Sequence, residues 1–345
     1  MSDSEPITVD PEPIDSKIMQ YVLKHMSAIQ RLKHSLSYPE LKEIGNQIPL
    51  KFTTVSLTGF SIILDEHAFK FYPNHPNSEI PQEVGTEVYL PSESEDDPRI
   101  LWNLNPKDFT INQVIRKLFE GTVHPGNPIL VEDELTIFGN IPEYPDWFKL
   151  KTANLEVRGL FEDFETRGAR IVANDLETEP LGQMSVYLAE SETSDLRHPL
   201  LRTARSLIVS LTISNFEGVQ RFLTTTLPTL ANNRISLRTS DFHVTNDHVL
   251  LIVQNWIRFG RPSDTYLHIT RGWTPGLELK IAQNTVVSRG FMREWYERGV
   301  YHRPCLIINM PNQCKLFMYG YKMKDIGSWR PRKQKLIIMR VVATD

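Results

Sequence analysis

A catalytic or metal centre in this chain would have to be built from ten histidines, two cysteines and scattered carboxylates. His243 and His248 stand five residues apart across a strand-to-helix junction. A zinc helix needs two imidazoles one turn apart on one face, so the pair is read as surface or capping histidines and no metal ligand is expected. Cys305 precedes an apolar strand-like run and reads as a buried, inert thiol. His302 is three residues away, which on a strand puts the two side chains on opposite faces and leaves no thiol–imidazole pair. Asp163 and Glu165 have the spacing of any solvated surface. No phosphate-binding loop, dinucleotide fingerprint, nucleophile elbow, zincin helix or calcium loop occurs. The chain is therefore expected to use no cofactor and to be no enzyme. An enzyme of unrecognised type is the alternative, which a pocket with convergent titratable groups would favour.

Binding chemistry has better candidates. Trp273, in ITRGWTPG, sits beside Gly272 and Pro275 in an expected loop, where an aromatic can anchor a partner. Phe242, Arg258 and Arg261 lie in the turns of the preceding unit and complete the expected target-binding set. Trp256 belongs to an apolar helix face and is expected in the core.

These residues are carried by a segment over 234–269 that reads as strand, turn, helix, stop and strand. Arg234–Arg238 alternates polar and apolar residues, the period of a half-buried strand. Thr245, Asn246 and Asp247 are candidate N-caps. Val249, Ile252, Val253, Trp256 and Ile257 share one helical face. Gly260 and Pro262 end it. Strand-like apolar pairs recur upstream at Leu135/Ile137, Leu155/Val157, Val186/Leu188 and Leu207/Val209, then at Ile235/Leu237 and Leu267/Ile269. Their spacing is near that of leucine-rich repeats, although the Asn/Cys ladder of the full consensus is absent. The expected class is α/β: short N-terminal helices, then strand–helix units forming a degenerate leucine-rich-repeat-like stack or a mixed sheet, then a small C-terminal antiparallel sheet.

Residues 1–14 read as a disordered leader, and 15–71 as a helical segment followed by a β-hairpin turning at Thr58-Gly59. Asp15 is a candidate N-cap, and Ser37–Glu40 and Thr110–Gln113 each fit a capping box. Residues 72–99 read as an acidic loop or linker, and 100–345 as one α/β recognition domain. Near its end, Leu277–Val287 is strand-like, and Ser288 is a candidate cap for a short helix carrying Phe291, Trp295 and Tyr296.

A chain of 345 residues with 40% hydrophobic and 23% charged residues can bury a real core. Its formal charge of −4 argues against a dedicated nucleic-acid binder. The basic C-terminal stretch, from Arg293 to Arg340, keeps a nucleic-acid face as the lesser alternative. No secretory signal, membrane span or glycosylation acceptor is visible, and two cysteines build no disulfide scaffold. An intracellular protein of cytoplasm or nucleus, without a membrane partner, is expected.

Taken together, YVLKHMSAIQRLKHSLSYPELKEIGNQIPLKF, TIFGN…FKLKTANLEVRG, HPLLRTARSLIV, LLIVQNWIRFGRPSDTYLHI and CLIINMPNQCKLFMYGYKM resemble the nematode F-box C family. That resemblance implies a non-catalytic adaptor that presents a target protein to a cullin–RING ubiquitin ligase. The N-terminal helices would dock on the ligase's linker subunit through Ile18, Val22, Leu23, Ile29, Leu32 and Leu36, and the C-terminal region would hold an unidentified target. No Leu-Pro opens the helices as in the fuller F-box pattern, so a stand-alone protein-binding domain without ligase docking is the alternative.

Overall fold

The computed structural model describes residues 16–38, 40–45, 47–59, 61–70, 86–89, 100–104, 115–116, 119, 123, 126–139, 141–159, 161–188, 198–211, 220–239, 244–271, 273–296, 299–311, 313–324 and 333–344. The leader, the Asp15 cap and the Thr110–Gln113 box lie outside them.

The N-terminal segment forms helices α1 (Ser16–His25), α2 (Ala28–Ser37) and α3 (Glu40–Gly45). The capping box that starts α2 is at Ser27: its Oγ accepts the Gln30 N–H at 3.2 Å, and Gln30 Oε1 accepts the Ser27 N–H at 3.0 Å. The box expected at Ser37 is not a helix start. Ser37 ends α2, and the Tyr38 N–H closes that helix on the His34 carbonyl at 2.8 Å. Leu23, Ala28, Ile29 and Leu32 are buried. Arg31 is buried too, and donates to the carbonyls of Ile48 at 3.0 Å and Pro49 at 2.8 Å, fastening α2 to the entry of the first strand.

The expected hairpin is a three-stranded meander of β1 (Lys51–Leu57), β2 (Ser61–Leu64) and β3 (His67–Lys70). Asp65 makes the second turn at φ 54°, and its Oδ1 accepts the N–H groups of Thr53 at 2.7 Å and Thr54 at 2.9 Å. The boundary expected at 72–99 does not separate this meander from the rest, because β1 joins the main sheet. Within that stretch Thr86–Tyr89 is strand β4, paired with β5 (Ile100–Leu104); its remaining residues lie outside the described set.

The centre of the fold is a run of parallel strands in chain order. β6 (Ile129–Phe138), β8 (Asn154–Arg158), β9 (Gln183–Leu188), β10 (Ser206–Leu211), β11 (Arg234–Thr239) and β12 (Tyr266–Ile269) follow one another from β1, and β7 (Leu150–Thr152) pairs with β6 on the side. The cadence read from sequence becomes two unbroken rows. Val55, Leu135, Leu155, Met184, Leu207, Ile235 and Leu267 are partners in register, and so are Leu57, Ile137, Val157, Val186, Val209, Leu237 and Ile269. Every member is at most 1% exposed. Burying each side chain stabilises by roughly 1.5–3 kcal/mol before entropy is set against it. One expected pair shifts: β9 contributes Met184/Val186, not Val186/Leu188. Met184, Val186 and Leu188 all alternate correctly, so only the partners' register decides.

Strands in chain order need crossovers of one hand, which places every connection on the same face. Among the described residues, the connections after β8 include α4 (Phe161–Asp163), running on as a π turn over Phe164–Gly168; α5 (Pro199–Thr203); a second π turn at Phe222–Thr226; and α6 (Asn246–Phe259). Phe161, Phe164, Leu201, Leu223, Val249 and Trp256 all join the core on that face. Polar side chains tie several of the units to earlier ones. Asn154 donates to the Asp133 carbonyl at 2.8 Å and Asn174 to that of Thr152 at 2.6 Å. Asn232 donates to the carbonyls of Leu201 at 2.8 Å and Ala204 at 2.7 Å. These three asparagines stand at irregular spacings, 20 and 58 residues apart, and make no repeat ladder.

The C-terminal part corrects two expectations. Residues expected as a strand from Leu277 form helix α7 (Pro275–Asn284), capped by Thr274, whose Oγ1 accepts the Leu277 N–H at 3.2 Å, with Pro275 in the first turn. The helix expected after Ser288 is strand β13 (Val287–Tyr296). It pairs along its length with β14 (Gly299–Met310), and this pairing overrides local propensity. β15 (Cys314–Lys324) and β16 (Lys333–Ala343) complete an antiparallel group. The group is not separate: β16 pairs antiparallel with β12, which makes one large mixed sheet.

Candidate functional site

A pocket of about 660 Å³ opens where α7 and the segment before it meet the C-terminal strands. Trp273, Glu278, Arg289, Phe291, Pro304 and Gly320 are among its lining. Its shape follows from small residues. On the face toward α7, β14 and β15 contribute Pro304 and Gly320 to the lining, and the missing side chain of Gly320 leaves a depression there. Trp273 sits on Gly320: a Cβ added there would fall 2.6 Å from the Trp273 Cβ. The indole packs against the core on one side and borders the pocket.

The charges at the pocket are paired or stacked. Arg289 Nη2 lies 2.9 Å from Glu278 Oε1, with the arginine largely in solvent, so the pair is worth under about 1 kcal/mol. The Arg303 guanidinium lies 4.4 Å from the centre of the Tyr321 ring. Cys305 is buried, and burial pushes its thiol up, keeping it protonated and a poor nucleophile. No imidazole is among the described lining residues. The arrangement offers an aromatic wall and a hollow lined by backbone, which suits holding a side chain.

Of the expected target-binding residues that are described, Trp273 alone lines this pocket. Arg258 is exposed on α6, with its guanidinium 5.2 Å from the Phe259 ring. Arg261 is buried: it donates to the carbonyls of Leu227 at 2.7 Å and of Leu230, and stacks 5.4 Å from the Trp256 ring. Its charge holds the turn after the second π segment, where the asparagines act elsewhere, and does not face a partner. Phe242 lies outside the described residues. Of the β13–β15 lining, the sequence singles out only Cys305, as an inert thiol, and Phe291, on an expected helix; Arg289, Pro304 and Gly320 are not singled out.

The expected docking residues divide. Ile18 and Val22 are 58% and 45% exposed, whereas Leu23, Ile29 and Leu32 are buried, the last two in the main core. The side chain of Leu36 lies outside the described residues. Tyr21, 66% exposed, joins Ile18 and Val22 on the same face of α1.

His243 lies outside the described residues. His248 is buried at the start of α6, where Thr245 Oγ1 accepts its N–H at 3.3 Å and its Nδ1 accepts the Thr245 N–H at 3.1 Å. No group of three or more potential metal ligands occurs among the described residues. None of the described helices is long and apolar enough to cross a membrane. On the sheet face opposite the connections, Glu156 accepts from the Tyr187 hydroxyl at 3.0 Å and pairs with Arg158 at 2.7 Å.

Residues 110–270 match the family model described as a domain of unknown function, DUF3557. That span takes in β6 to β12 and ends three residues before Trp273, so the pocket lies beyond it. No curated protein and no solved structure matches the chain.

Proposed function

We propose that this chain is a non-catalytic protein-interaction module that acts as the target-recognition adaptor of a cullin–RING ubiquitin ligase. The observation that carries the proposal is the stripe of Ile18, Tyr21 and Val22 on α1. These residues stand three and four apart, all large, apolar or aromatic, and all exposed, on a helix whose other side is anchored through Leu23. An amphipathic helix laid into a partner's groove uses that spacing of anchors. The pocket beside Trp273 would hold the target at the other end of the sheet.

The test is co-elution of the full chain with the ligase's linker subunit in size-exclusion chromatography. Ile18→Asp with Val22→Asp is expected to abolish co-elution and leave thermal unfolding unchanged, because both side chains are in solvent. Deleting residues 1–50 is a poorer test, since it would also remove the core residues Ile29 and Leu32. Failure of the unsubstituted chain to co-elute would overturn the ligase role. It would favour the stand-alone protein-binding alternative, for which the Trp273 pocket remains as support.

A further inference from the structure

The main sheet ends at β13, which pairs with β14 over ten registered positions, from Val287 to Tyr296. Among the described residues its other edge has no strand partner. Such an edge presents a row of N–H and C=O groups that an extended chain can satisfy. Two further features converge here. Val286 is 89% exposed and Phe291 is 68% exposed, apolar side chains next to and within the edge strand. The pocket with Trp273 is lined by Arg289, Gly290 and Phe291 of the same strand. A strand added to β13 would lie about 4.8 Å from it, within reach of that hollow for a side chain on the α7 side.

We propose that β13 is the docking edge for an extended peptide, which adds to the sheet as a further strand and seats one large apolar side chain in the pocket beside Trp273. The backbone row calls for an extended ligand, and the α7-side lining, an indole with Phe291, Pro304, Leu306 and the bare Gly320 bordered by the Arg289–Glu278 pair, suits an apolar anchor. Arg289 stands at the edge with its side chain 82% exposed and paired with Glu278 at 2.9 Å, bordering the hollow. The inference rests on the reading of the chain as a protein-interaction module but not on ligase docking, since it concerns the opposite end of the sheet.

The test starts from a displayed library of random dodecapeptides selected on the full-length chain, with the selected peptides synthesised and their affinity measured by fluorescence anisotropy. Peptides with an aromatic or large aliphatic residue flanked by proline-free sequence are expected. Methylating backbone nitrogens at alternate positions, in two complementary sets, should cost tenfold or more in one set and less than about threefold in the other. Only strand addition alternates in this way. Phe291→Asp and Val286→Asp, both at exposed positions, should each weaken binding at least fivefold with thermal unfolding unchanged. Ile18→Asp with Val22→Asp should leave peptide binding intact, which separates this site from the docking helix. The proposal is overturned if no peptide is selected, if both methylated sets bind like the parent, or if the edge variants bind normally. It is likewise overturned if β13 mediates a concentration-dependent dimer and binds no peptide.

Discussion

Trp273 and Gly320 are interlocked: the indole's own Cβ occupies the space in which a side chain on residue 320 would begin, 2.6 Å from an ideal Cβ. Gly320 lies in strand β15 without a left-handed backbone, so alanine is tolerated locally and the whole cost of Gly320→Ala comes from displacing Trp273. Overpacking of this kind costs about 1–3 kcal/mol. Urea unfolding followed by circular dichroism should show that loss, with a change in native tryptophan emission as the indole leaves its seat. A variant as stable as the parent would show that Trp273 is not held by this contact.

Arg258 and Arg261 stand three residues apart and should behave differently. Arg261→Met leaves the carbonyls of Leu227 and Leu230 without their buried donor, at about 2–3 kcal/mol for the unsatisfied groups. Arg258→Met removes an exposed side chain stacked on Phe259 and should stay within about 0.5 kcal/mol. Burial also lowers the affinity of the Arg261 guanidinium for its proton, as for any cation withdrawn from water, but it remains charged throughout the accessible pH range. Chemical denaturation of the two variants side by side is the measurement.

The parallel rows were legible because each strand is buried on one face, and burial imposes a period of two that survives without any repeat consensus. Leu135, Leu155, Leu207, Ile235 and Leu267 are all in register as their spacing implied. The C-terminal group was less legible. β13 carries Arg289 and Arg293 on the same face as Val287 and Phe291, where a half-buried strand would show apolar residues, because its edge position leaves much of it in solvent. The signal for α7 was present at Thr274-Pro275, a capping residue followed by proline, but Gly272 and Gly276 around it gave the stretch the look of a loop. The pocket follows from both misassignments, since its wall is the start of α7 and its floor includes β13. Arg261 shows a different limit. An arginine in a turn looks exposed until the carbonyls it serves, some thirty residues earlier, are brought beneath it.

Gly159 and Gly139 end adjacent strands and touch. A Cβ on Gly159 would lie 2.7 Å from the Gly139 Cα and 2.8 Å from its N, both backbone atoms that cannot step aside. Gly159 also has φ 115°, a conformation that L residues rarely adopt. Gly159→Ala should therefore cost more than about 2 kcal/mol. Gly126→Ala is the control: φ is 106°, but nothing lies within 4 Å of its Cβ position, so only the backbone strain of about 1–2 kcal/mol applies. The difference between the two unfolding midpoints isolates the clash, and equal midpoints would remove it.

His198 links this packing to pH. It precedes α5, with its ring edge-on to Phe161 at 6.3 Å and to Phe164 at 6.0 Å, and its Nδ1 is buried without a hydrogen-bond partner. Burial holds its pKa below the ordinary 6.5. The folded state then binds a proton less readily than the unfolded state, so below pH 6.5 the unfolded state takes up more protons and acidification favours unfolding. The contribution of this residue to stability is complete above pH 6.5 and declines as pH falls from there toward the depressed folded value. Urea midpoints at pH 7.5 and pH 5.5 should differ more in the parent than in His198→Phe, which keeps a ring between Phe161 and Phe164 and carries no titrating group. An identical pH dependence in the two proteins would assign the acid sensitivity to other groups and leave His198 as a packing residue alone.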